Sequence, residues 1–440
     1  MKKIISELQR SDKNISDRIS IDSRTINRGD IFFAIGRGHD FVQEAIFKDA
    51  SLAVIDDSKY YVGDKTILVE NVLETLKNLG HYFFKSSNLK KTIGITGSVG
   101  KTTTRSWLTQ VLKSKFKTIE SIKNYNTIYG IPISMCQTKK DTDYAVLEMG
   151  SSNLGEIRQL SEYISPDIGI LTNIYESHLG RFANRELLAK EKISIISGMS
   201  EGGTLIYHGD SEFCDLIKYE AEKKKIKTLS VGFCKNIDFS IKINNNYVEI
   251  KTPIGKFNYK LSVNGNHFAY ITATVIASLV ALNLNPAEYI EHIEALQPIT
   301  GRGKVVKYNL NGTKFDIIDD TYNASPQSML SSIERLSLYD STSKIAVIGQ
   351  MKELGNSEVS YHKLIAEKIR TSNLDKVIFI GDKHLWQTMD CTECFESINK
   401  LVMEKIYKMI DNDSVVLLKG SNSIGLNKII DYINVLQSDI

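Results

Sequence analysis

Residues 91–112 read KTIGITGSVGKTTTRSWLTQVL, and this stretch decides the fold. An apolar strand, TIGIT, runs into a glycine turn, and a helical pattern from Lys101 to Leu112 follows. Glycines let backbone N–H groups converge on phosphate oxygens, and the helix N-terminus adds partial positive charge. Lys101 supplies a mobile cation for the β- and γ-phosphates of a nucleotide, and Thr102 supplies a hydroxyl for Mg²⁺. The stretch therefore predicts a phosphate loop in an α/β fold.

The loop is a variant of the strict Walker pattern, because Ile95 stands five residues before Gly100, where that pattern has glycine. An ordinary glycine-containing turn between strand and helix is the alternative. The strand before the turn, the helix after it and the GKT core together disfavour that alternative. The predicted ATP-binding residues of the loop are Thr96, Gly97, Ser98, Val99, Gly100, Lys101, Thr102 and Thr103.

Apolar strands and helical stretches alternate along the chain after the loop. Predicted strands at 144–149, 167–173 and 204–207 are separated by helical stretches, which indicates βαβ units and a parallel sheet. Residues 238–263 differ, because short alternating strands with turn signals predict antiparallel hairpins there. From residue 300 the alternation resumes and predicts a second parallel α/β unit.

We therefore predict an α/β protein with three domains. Residues 1–88, with short β-rich pieces and helices between them, form a small α/β domain. Residues 89–299 form a central phosphate-loop domain with an antiparallel β portion. Residues 300–440 form a Rossmann-like domain.

Composition narrows the functional class. The 440 residues carry a formal net charge of +3, with 42% hydrophobic and 24% charged residues, which is typical of a globular protein and not of a disordered chain. The longest apolar run, 273–282, is too short for a membrane helix, and no signal peptide is predicted at the start. The near-neutral balance of positive and negative charges argues against nucleic acid as a partner. Five cysteines, including a lone C-x-x-C at Cys391 and Cys394, make no disulfide framework or zinc site, which favours a reducing, cytoplasmic location.

A carboxylate follows the second predicted strand of the central unit. Glu148 ends the run YAVLEMG, and the carboxyl edge of a parallel strand lies at the ligand crevice of such a sheet. An oxygen ligand there could hold Mg²⁺. The alternative is a carboxylate that only caps the next helix.

Several segments occur in a fixed order along the chain: TGSVGKTTT, AVLEMGSS, ILTNIYESHLGRF followed by AKEK, PITGRGK, and DDTYNASPQSM. This order and wording resemble the Mur ligase family, the ATP-dependent amide-bond ligases that build the peptide of bacterial peptidoglycan. The resemblance extends over essentially the whole chain. The DDTYNASP segment and MKELG (351–355) are similar to those of the family member that adds a dipeptide.

The resemblance implies a reaction and its substrates. The terminal carboxylate of UDP-N-acetylmuramoyl-tripeptide attacks the γ-phosphate of ATP, and the amine of D-alanyl-D-alanine attacks the resulting acyl phosphate. The first domain would bind the uridine nucleotide, the second ATP, and the third the incoming amine, in a cytoplasmic monomer. The alternatives are another Mur-type amino-acid ligase, a nucleotide-binding homologue with weakened activity, and a plain phosphate-loop NTPase.

The resemblance also implies roles for single residues. Thr102, Glu148 and His178 match the family's Mg²⁺ ligands, with two ions expected. Lys190 matches the lysine that the family carbamylates with CO₂, and Lys192 is the alternative, because two residues apart on a helix they point to different faces. Arg302, in TGRG, matches the arginine that reaches the ATP phosphates. The predicted catalytic set is Lys101, Lys190, His178 and Arg302.

Further substrate contacts follow from the same resemblance. Asp320, Tyr322 and Asn323 match the family's nucleotide-contacting segment in the third domain. The remaining candidates are Ser23 and Arg24 for the uridine nucleotide, Asn124 and Asn126 for the sugar nucleotide, and Lys419 and Ser421 for either helix capping or substrate contact.

The chain departs from the family pattern at peripheral positions. The AIGRGHDF segment, 34–41, lacks residues that the family usually has before His-Asp-Phe. Other departures are Thr127, Ile128, Ile271 in place of an adenine-contacting asparagine, Gln350 in place of Asp, and Asn422 in place of Arg. Because the phosphate and metal residues are all present, we predict an active enzyme with altered peripheral recognition.

Overall fold

The structure, a computed structural model, describes residues 1–10, 14–175, 182, 184–244, 246–389 and 391–438. These residues form a mixed α/β fold with three β-sheets of four, nine and six strands, one after another along the chain. Each sheet has a hydrophobic cluster on both of its faces. The predicted domain limits after residues 88 and 299 fall in the connections between sheets and stay predictions.

The first sheet is parallel, with strand order β1-β2-β3-β4. Successive side chains of a strand point to opposite faces. Ile31 and Phe33 therefore pack with the helices of one face, while Phe32 packs with the helix of the other. The elements are β1 (Ile19–Ser20), β2 (Ile31–Phe33), β3 (Leu52–Ile55), β4 (Thr66–Leu68), α1 (Lys2–Leu8), α2 (Val42–Phe47) and α3 (Val72–Lys85).

The second sheet has the order β13-β12-β11-β10-β9-β8-β5-β7-β6. Its strands are β5 (Lys91–Thr96), β6 (Thr118–Glu120), β7 (Tyr144–Glu148), β8 (Ile168–Leu171), β9 (Thr204–His208), β10 (Lys227–Gly232), β11 (Phe239–Asn244), β12 (Tyr247–Thr252) and β13 (Gly255–Lys260). Its helices are α4 (Lys101–Lys113), α5 (Ile131–Met135), α6 (Glu156–Ile164), α7 (Arg185–Ile193), α8 (Cys214–Lys223), α9 (Asn266–Ala281) and α10 (Ile290–Glu294). Strands β5 to β11 pair in parallel, and β12 and β13 complete the sheet as antiparallel strands.

Strand β5 lies between β7 and β8, where the strand order of the second sheet reverses direction. In open α/β sheets the ligand crevice opens beyond the carboxyl ends of the strands at such a point. Helix α4 continues from β5 and is held against α9: Trp107 stacks on Phe268 at 5.5 Å between ring centroids, and its indole Nε1 donates to Gln297 O at 2.9 Å. The packing fixes the helix that starts at the phosphate loop.

The third sheet has the order β14-β15-β19-β16-β17-β18, with β14 and β15 as an antiparallel hairpin and the other pairs parallel. Ser325 and Ser328 form a capping box at the start of α11, and Pro326 is its first residue. The elements are β14 (Lys304–Leu310), β15 (Thr313–Asp320), β16 (Ser343–Gly349), β17 (Lys376–Ile380), β18 (Glu393–Phe395), β19 (Ser414–Lys419), α11 (Pro326–Ser337), α12 (Glu358–Arg370), α13 (Trp386–Met389), α14 (Lys400–Lys408) and α15 (Asn427–Ser438).

Two expectations about the whole chain can be compared with this fold. None of the helices that the structure describes is both long and apolar enough to cross a membrane. The sequence predicts no disulfide framework, and the structure contains one local disulfide, between Cys391, just before the edge strand β18, and Cys394 within that strand. The other cysteines, Cys136, Cys214 and Cys234, are free.

Candidate active site

The phosphate loop connects β5 to α4 and depends on its two glycines. Gly97 has φ +137°, and a Cβ there would lie 2.1 Å from Thr172 Oγ1, so any other residue would force the loop away from β8. Gly100 has φ +85°, in the left-handed region that favours glycine. Val99 N donates to Asn173 Oδ1 at 2.9 Å, and Thr172 Oγ1 donates to Val99 O at 2.7 Å. The loop is therefore held in place by residues that follow the neighbouring strand.

Lys101, the first residue of α4, lies across its own loop. Its Nζ donates to Gly97 O at 2.7 Å and to Ser98 O at 3.1 Å. Burial lowers the pKa of the Lys101 ammonium, whereas the Glu148 carboxylate raises it and the Arg302 guanidinium lowers it. An anionic phosphate at the loop would offset the cost of that buried charge, which is the role expected of a lysine in this position.

Glu148, at the carboxyl end of β7, is 3% exposed, and its carboxylate contacts three other side chains. Its Oε2 accepts from Thr102 Oγ1 at 2.8 Å, and its Oε1 accepts from Asn126 Nδ2 at 3.0 Å. Arg105 Nη1 lies 3.6 Å from Oε2. The predicted alternative for Glu148, a helix cap, is not what these contacts show, because its carboxylate bonds to the phosphate-loop helix and to the 124–126 segment.

The residues around Glu148 fit Mg²⁺. A hydroxyl and a carboxylate are the hard oxygen donors that Mg²⁺ prefers. Within the described ranges no group of three or more His, Cys, Asp or Glu could hold a metal alone. A few protein ligands completed by substrate phosphates is the usual arrangement for Mg²⁺. The third predicted ligand, His178, lies outside the described residues.

The two lysines of α7 lie in different surroundings. Lys190 is exposed, whereas Lys192 is 2% exposed and donates from Nζ to Ser151 Oγ at 2.8 Å. Burial lowers the pKa of Lys192 to about 7, and the nearby charge of Lys101 lowers it further. The sequence prefers Lys190 as the carbamylated lysine and keeps Lys192 as the alternative. Of the two, Lys192 is the buried one, and it lies close enough to Lys101 to be affected by its charge.

Arg302 and the DDTYN turn (319–323) lie across from the phosphate loop, at the start of the third sheet. The Arg302 guanidinium stacks on the Tyr322 ring, with Cζ 3.9 Å from the ring centroid. Tyr322 N donates to Gly301 O at 3.0 Å, which joins the two segments that the sequence places about 20 residues apart. Burial lowers the pKa of Arg302, and the charge of Glu148 raises it. The guanidinium therefore lies close enough to Glu148, beside the phosphate loop, to interact with its charge.

Asp320 and Lys419 form a buried ion pair at adjacent strand ends. Lys419 Nζ lies 2.8 Å from Asp320 Oδ2 and donates to Asn323 O at 3.1 Å. Ser332 Oγ also donates to Asp320 Oδ2, at 2.6 Å. These contacts hold the DDTYN turn in shape, a structural role different from the helix cap that was one of the two alternatives for Lys419. Ser421 Oγ accepts from Lys352 N at 2.9 Å.

A cavity of about 950 Å³ is lined on one side by the phosphate loop and on the other by Arg302 and the DDTYN turn. The predicted residues that line it are Ser98, Val99, Gly100, Lys101, Thr102, Thr103, Asn124, Asn126, Glu148, Arg302, Asp320, Tyr322, Asn323, Lys419 and Ser421. Thr96 is fully buried at the end of β5, and Gly97 lies against β8. Ser23 and Arg24 lie in the first sheet's part of the chain, away from this cavity, where Arg24 Nη2 is 2.7 Å from Asp22 Oδ2.

Sequence reasoning missed residues at the other end of this cavity. His208, at the carboxyl end of β9, packs against Tyr270 with 4.5 Å between ring centroids, and Asp210 and Phe233 line the cavity beside them. Burial lowers the pKa of His208 and favours its neutral form. The sequence did offer one signal for His208: it directly follows the predicted strand 204–207, and strand ends of a parallel sheet lie at the ligand crevice. Lys352 also lines the cavity, although the sequence predicts no role for it.

Comparisons with known proteins agree with this architecture. A family profile described as the Mur ligase middle domain matches residues 95–279, and one described as the Mur ligase, glutamate ligase domain matches residues 301–422. The chain is 30% identical to the UDP-N-acetylmuramoyl-tripeptide–D-alanyl-D-alanine ligase of Rickettsia prowazekii, over 94% of this chain and 95% of the relative. It is 28% identical to the ligase of the same name from Bacillus subtilis, over 94% and 92% of the two chains.

Solved structures show the same arrangement of sheets. MurF ligase from Thermotoga maritima in complex with ADP is 26% identical with a TM-score of 0.81, over 98% of this chain and all of that one. MurF from Acinetobacter baumannii has a TM-score of 0.82 at 24% identity, over 96% and 93% of the two chains, and shows the fold. Because the phosphate-loop sheet and the third sheet each match their own family profile, and a relative matches at 30% identity over nearly the full length, the chain belongs to the Mur ligase family.

Proposed function

We propose that the chain is an ATP-dependent ligase that joins D-alanyl-D-alanine to UDP-N-acetylmuramoyl-tripeptide and so forms the UDP-sugar pentapeptide used in peptidoglycan synthesis. The observation that carries the proposal is the shared cavity, in which Lys101 and Glu148 face Arg302 and the DDTYN turn. A ligase of this kind must bring a nucleotide phosphate, a carboxylate and an amine together between two domains. The names of the relatives supply the substrates.

The chemistry requires two anions to approach each other. An oxygen of the tripeptide carboxylate forms a bond to the γ-phosphorus of ATP, and the bond to ADP breaks. The dipeptide amine then forms a bond to the acyl carbon, phosphate leaves, and the amine proton is lost. Lys101 and Arg302 reach the cavity from opposite walls, so we assign them to neutralising the phosphate oxygens as charge develops.

We propose that Thr102 and Glu148 would hold Mg²⁺ together with His178. Bound Mg²⁺ would neutralise phosphate charge, and two ions are expected. Asn126 and Arg105 hold the Glu148 carboxylate from its two oxygens, at 3.0 Å and 3.6 Å, and thereby fix its orientation. Their role is to position that carboxylate before the nucleotide arrives.

Lys192 is the lysine that we propose to be carbamylated. The unprotonated amine attacks CO₂, an N–C bond forms, one proton is released, and the neutral amine becomes an anionic carbamate. Starting from the ammonium, two protons are lost in all. With a pKa of about 7, about half of the Lys192 amine is unprotonated near pH 7. The Ser151 hydroxyl beside Nζ offers a hydrogen-bond partner for the product.

The remaining assignments concern the rest of the chain. We assign residues 1–88, with Ser23 and Arg24, to the uridine nucleotide, residues 89–299 to ATP, and residues 300–440 to the incoming amine. Asn124 and Asn126 would contact the sugar nucleotide from the central domain. We propose a monomer that acts in the cytoplasm on these small-molecule substrates.

The choice of incoming amine is tested directly. Purified protein with ATP, Mg²⁺ and UDP-N-acetylmuramoyl-tripeptide is supplied with D-alanyl-D-alanine or with single amino acids, and the products are identified by mass. We expect the pentapeptide from the dipeptide and little product from single amino acids, because unpaired polar groups in a site built for a longer substrate are costly. Equal use of a single amino acid would assign the chain to another Mur-type ligase. Phosphate release without any amine would indicate a plain NTPase.

A further inference from the structure

Lys352 lies on the third-domain side of the cavity, in the segment that follows β16. The segment is anchored on both sides of this lysine. Met351 N donates to His362 Nε2 at 3.1 Å, and Lys352 N donates to Ser421 Oγ at 2.9 Å. Met351 and Leu354 are buried. The backbone of Lys352 is therefore fixed while its side chain, 38% exposed, faces a space that a substrate can enter.

The other third-domain cations along the described cavity wall already have structural partners. Lys419 is 2% exposed and paired with Asp320. Arg335 is 5% exposed, and its Nη1 donates to Gly303 O at 2.6 Å. Arg302 stacks on Tyr322 beside the phosphate loop. With Arg302 assigned to the phosphates, Lys352 is the remaining accessible third-domain cation along the described wall.

The present partner of Lys352 can release it at little cost. Lys352 Nζ lies 3.0 Å from Asp382 Oδ2, but both side chains are substantially exposed, at 38% and 55%, and exposed ion pairs are weak. Asp382 is held independently: Gln350 Nε2 donates to the same Oδ2 at 3.0 Å, and Asp382 N donates to Gln350 Oε1 at 3.1 Å. The Gln350 hydrogen bond is also the largest contribution that lowers the pKa of Asp382. Asp382 therefore stays satisfied when Lys352 turns toward a ligand.

We propose that the Lys352 ammonium pairs with the C-terminal carboxylate of the incoming dipeptide and thereby selects a dipeptide over a single amino acid. This inference rests on the proposed function. Two extended residues span roughly 7 Å, so the carboxylate of a dipeptide lies well beyond the amine that reacts near the phosphate loop. A single amino acid with its amine at the same place leaves Lys352 without that partner.

The test compares D-alanyl-D-alanine with D-alanyl-D-alaninamide, which lacks the carboxylate charge. For the unchanged protein we expect kcat/KM to be about 10- to 100-fold lower with the amide, the scale of one hydrogen bond to a charged group. In Lys352→Met, KM for the dipeptide should rise by a similar factor, and the difference between acid and amide should nearly vanish. KM for ATP and for the UDP-sugar tripeptide should stay within about twofold. Lys352→Arg should restore much of the preference.

Lys383→Met is the matched control. Lys383 also follows a strand end of the third sheet and is paired across an exposed surface, with Glu396 at 3.0 Å, but it does not line the cavity. This variant should keep the acid-to-amide ratio of the unchanged protein. An unchanged ratio in Lys352→Met, with the unchanged protein still forming the pentapeptide, would overturn the inference alone. Failure of the unchanged protein to use the dipeptide would overturn the proposed function as well.

Discussion

Replacing Lys101 by alanine should lower turnover at least about 100-fold, which is the scale of one preorganised electrostatic contact in a transition state. Its Nζ already lies over the loop, within hydrogen-bond distance of Gly97 O and Ser98 O. A γ-phosphate bound at the loop would exchange those carbonyls for oxygens whose negative charge grows during transfer. Phosphate release, measured with all three substrates at saturation, reports the loss.

Lys113→Ala is the matched control for that experiment. Lys113 ends the same helix, is 51% exposed and makes only a long contact of 3.8 Å with Glu120, so its loss should leave turnover within about twofold. Thermal unfolding of both variants shows whether α4 is intact. Activity of a folded Lys101→Ala variant within a few-fold of the unchanged protein would refute the phosphate-loop assignment.

The fold was predictable to the extent that buried strands have continuous apolar runs. The predicted strands at 144–149, 167–173 and 204–207 correspond to β7, β8 and β9 within a few residues, and the hairpins of 238–263 are β11 to β13. Some strands that carry no such run were missed, among them β6 and β18. β6 and β18 have three residues each and lie at sheet edges, where a strand needs fewer apolar side chains.

The site was predictable where chemistry constrains a local segment. Glycine geometry marks the phosphate loop, and the strand-end rule marks Glu148. Contacts between distant segments left no local signal: the pairing of Lys419 with Asp320 joins strands β19 and β15, which are about 100 residues apart in sequence. Likewise, the packing of His208 against Tyr270 depends on how α9 lies over β9.

The choice between Lys190 and Lys192 shows the limit of motif spacing. Both lysines are compatible with a short Ala-Lys pattern, so the register of the match is ambiguous by two residues. Helical periodicity separates the surroundings of the two lysines, because a residue four positions away lies on the same face. Lys192 is four residues after Leu188, which is 1% exposed, whereas Lys190 is four residues after Glu186, which is exposed. Lys192 is therefore on the buried face of α7, where the charge of Lys101 lowers its pKa.

Replacing Lys192 by methionine should therefore reduce turnover about 100-fold or more, while Lys190→Met, on the exposed face of the same helix, should stay within a few-fold. Methionine keeps the buried volume of the lysine stem and removes only the amine, so the variant should fold. In the unchanged protein, activity should fall as pH drops below about 7, because protonation of the Lys192 amine stops its reaction with CO₂. Turnover is measured in buffers freed of CO₂ and in buffers with added bicarbonate.

A second readout separates carbamylation from a structural role of the buried lysine. With ¹³C-labelled bicarbonate, a carbamate carbon should be detectable by NMR in the unchanged protein and in Lys190→Met, and absent in Lys192→Met. Short carboxylic acids should partly restore Lys192→Met, because they supply the missing anion in the space beside Ser151. If Lys190→Met loses both turnover and the carbamate signal while Lys192→Met keeps them, the burial argument is wrong. The reactive amine would then be the exposed one, and the pKa of about 7 at Lys192 would serve only to let an uncharged lysine pack beneath Lys101.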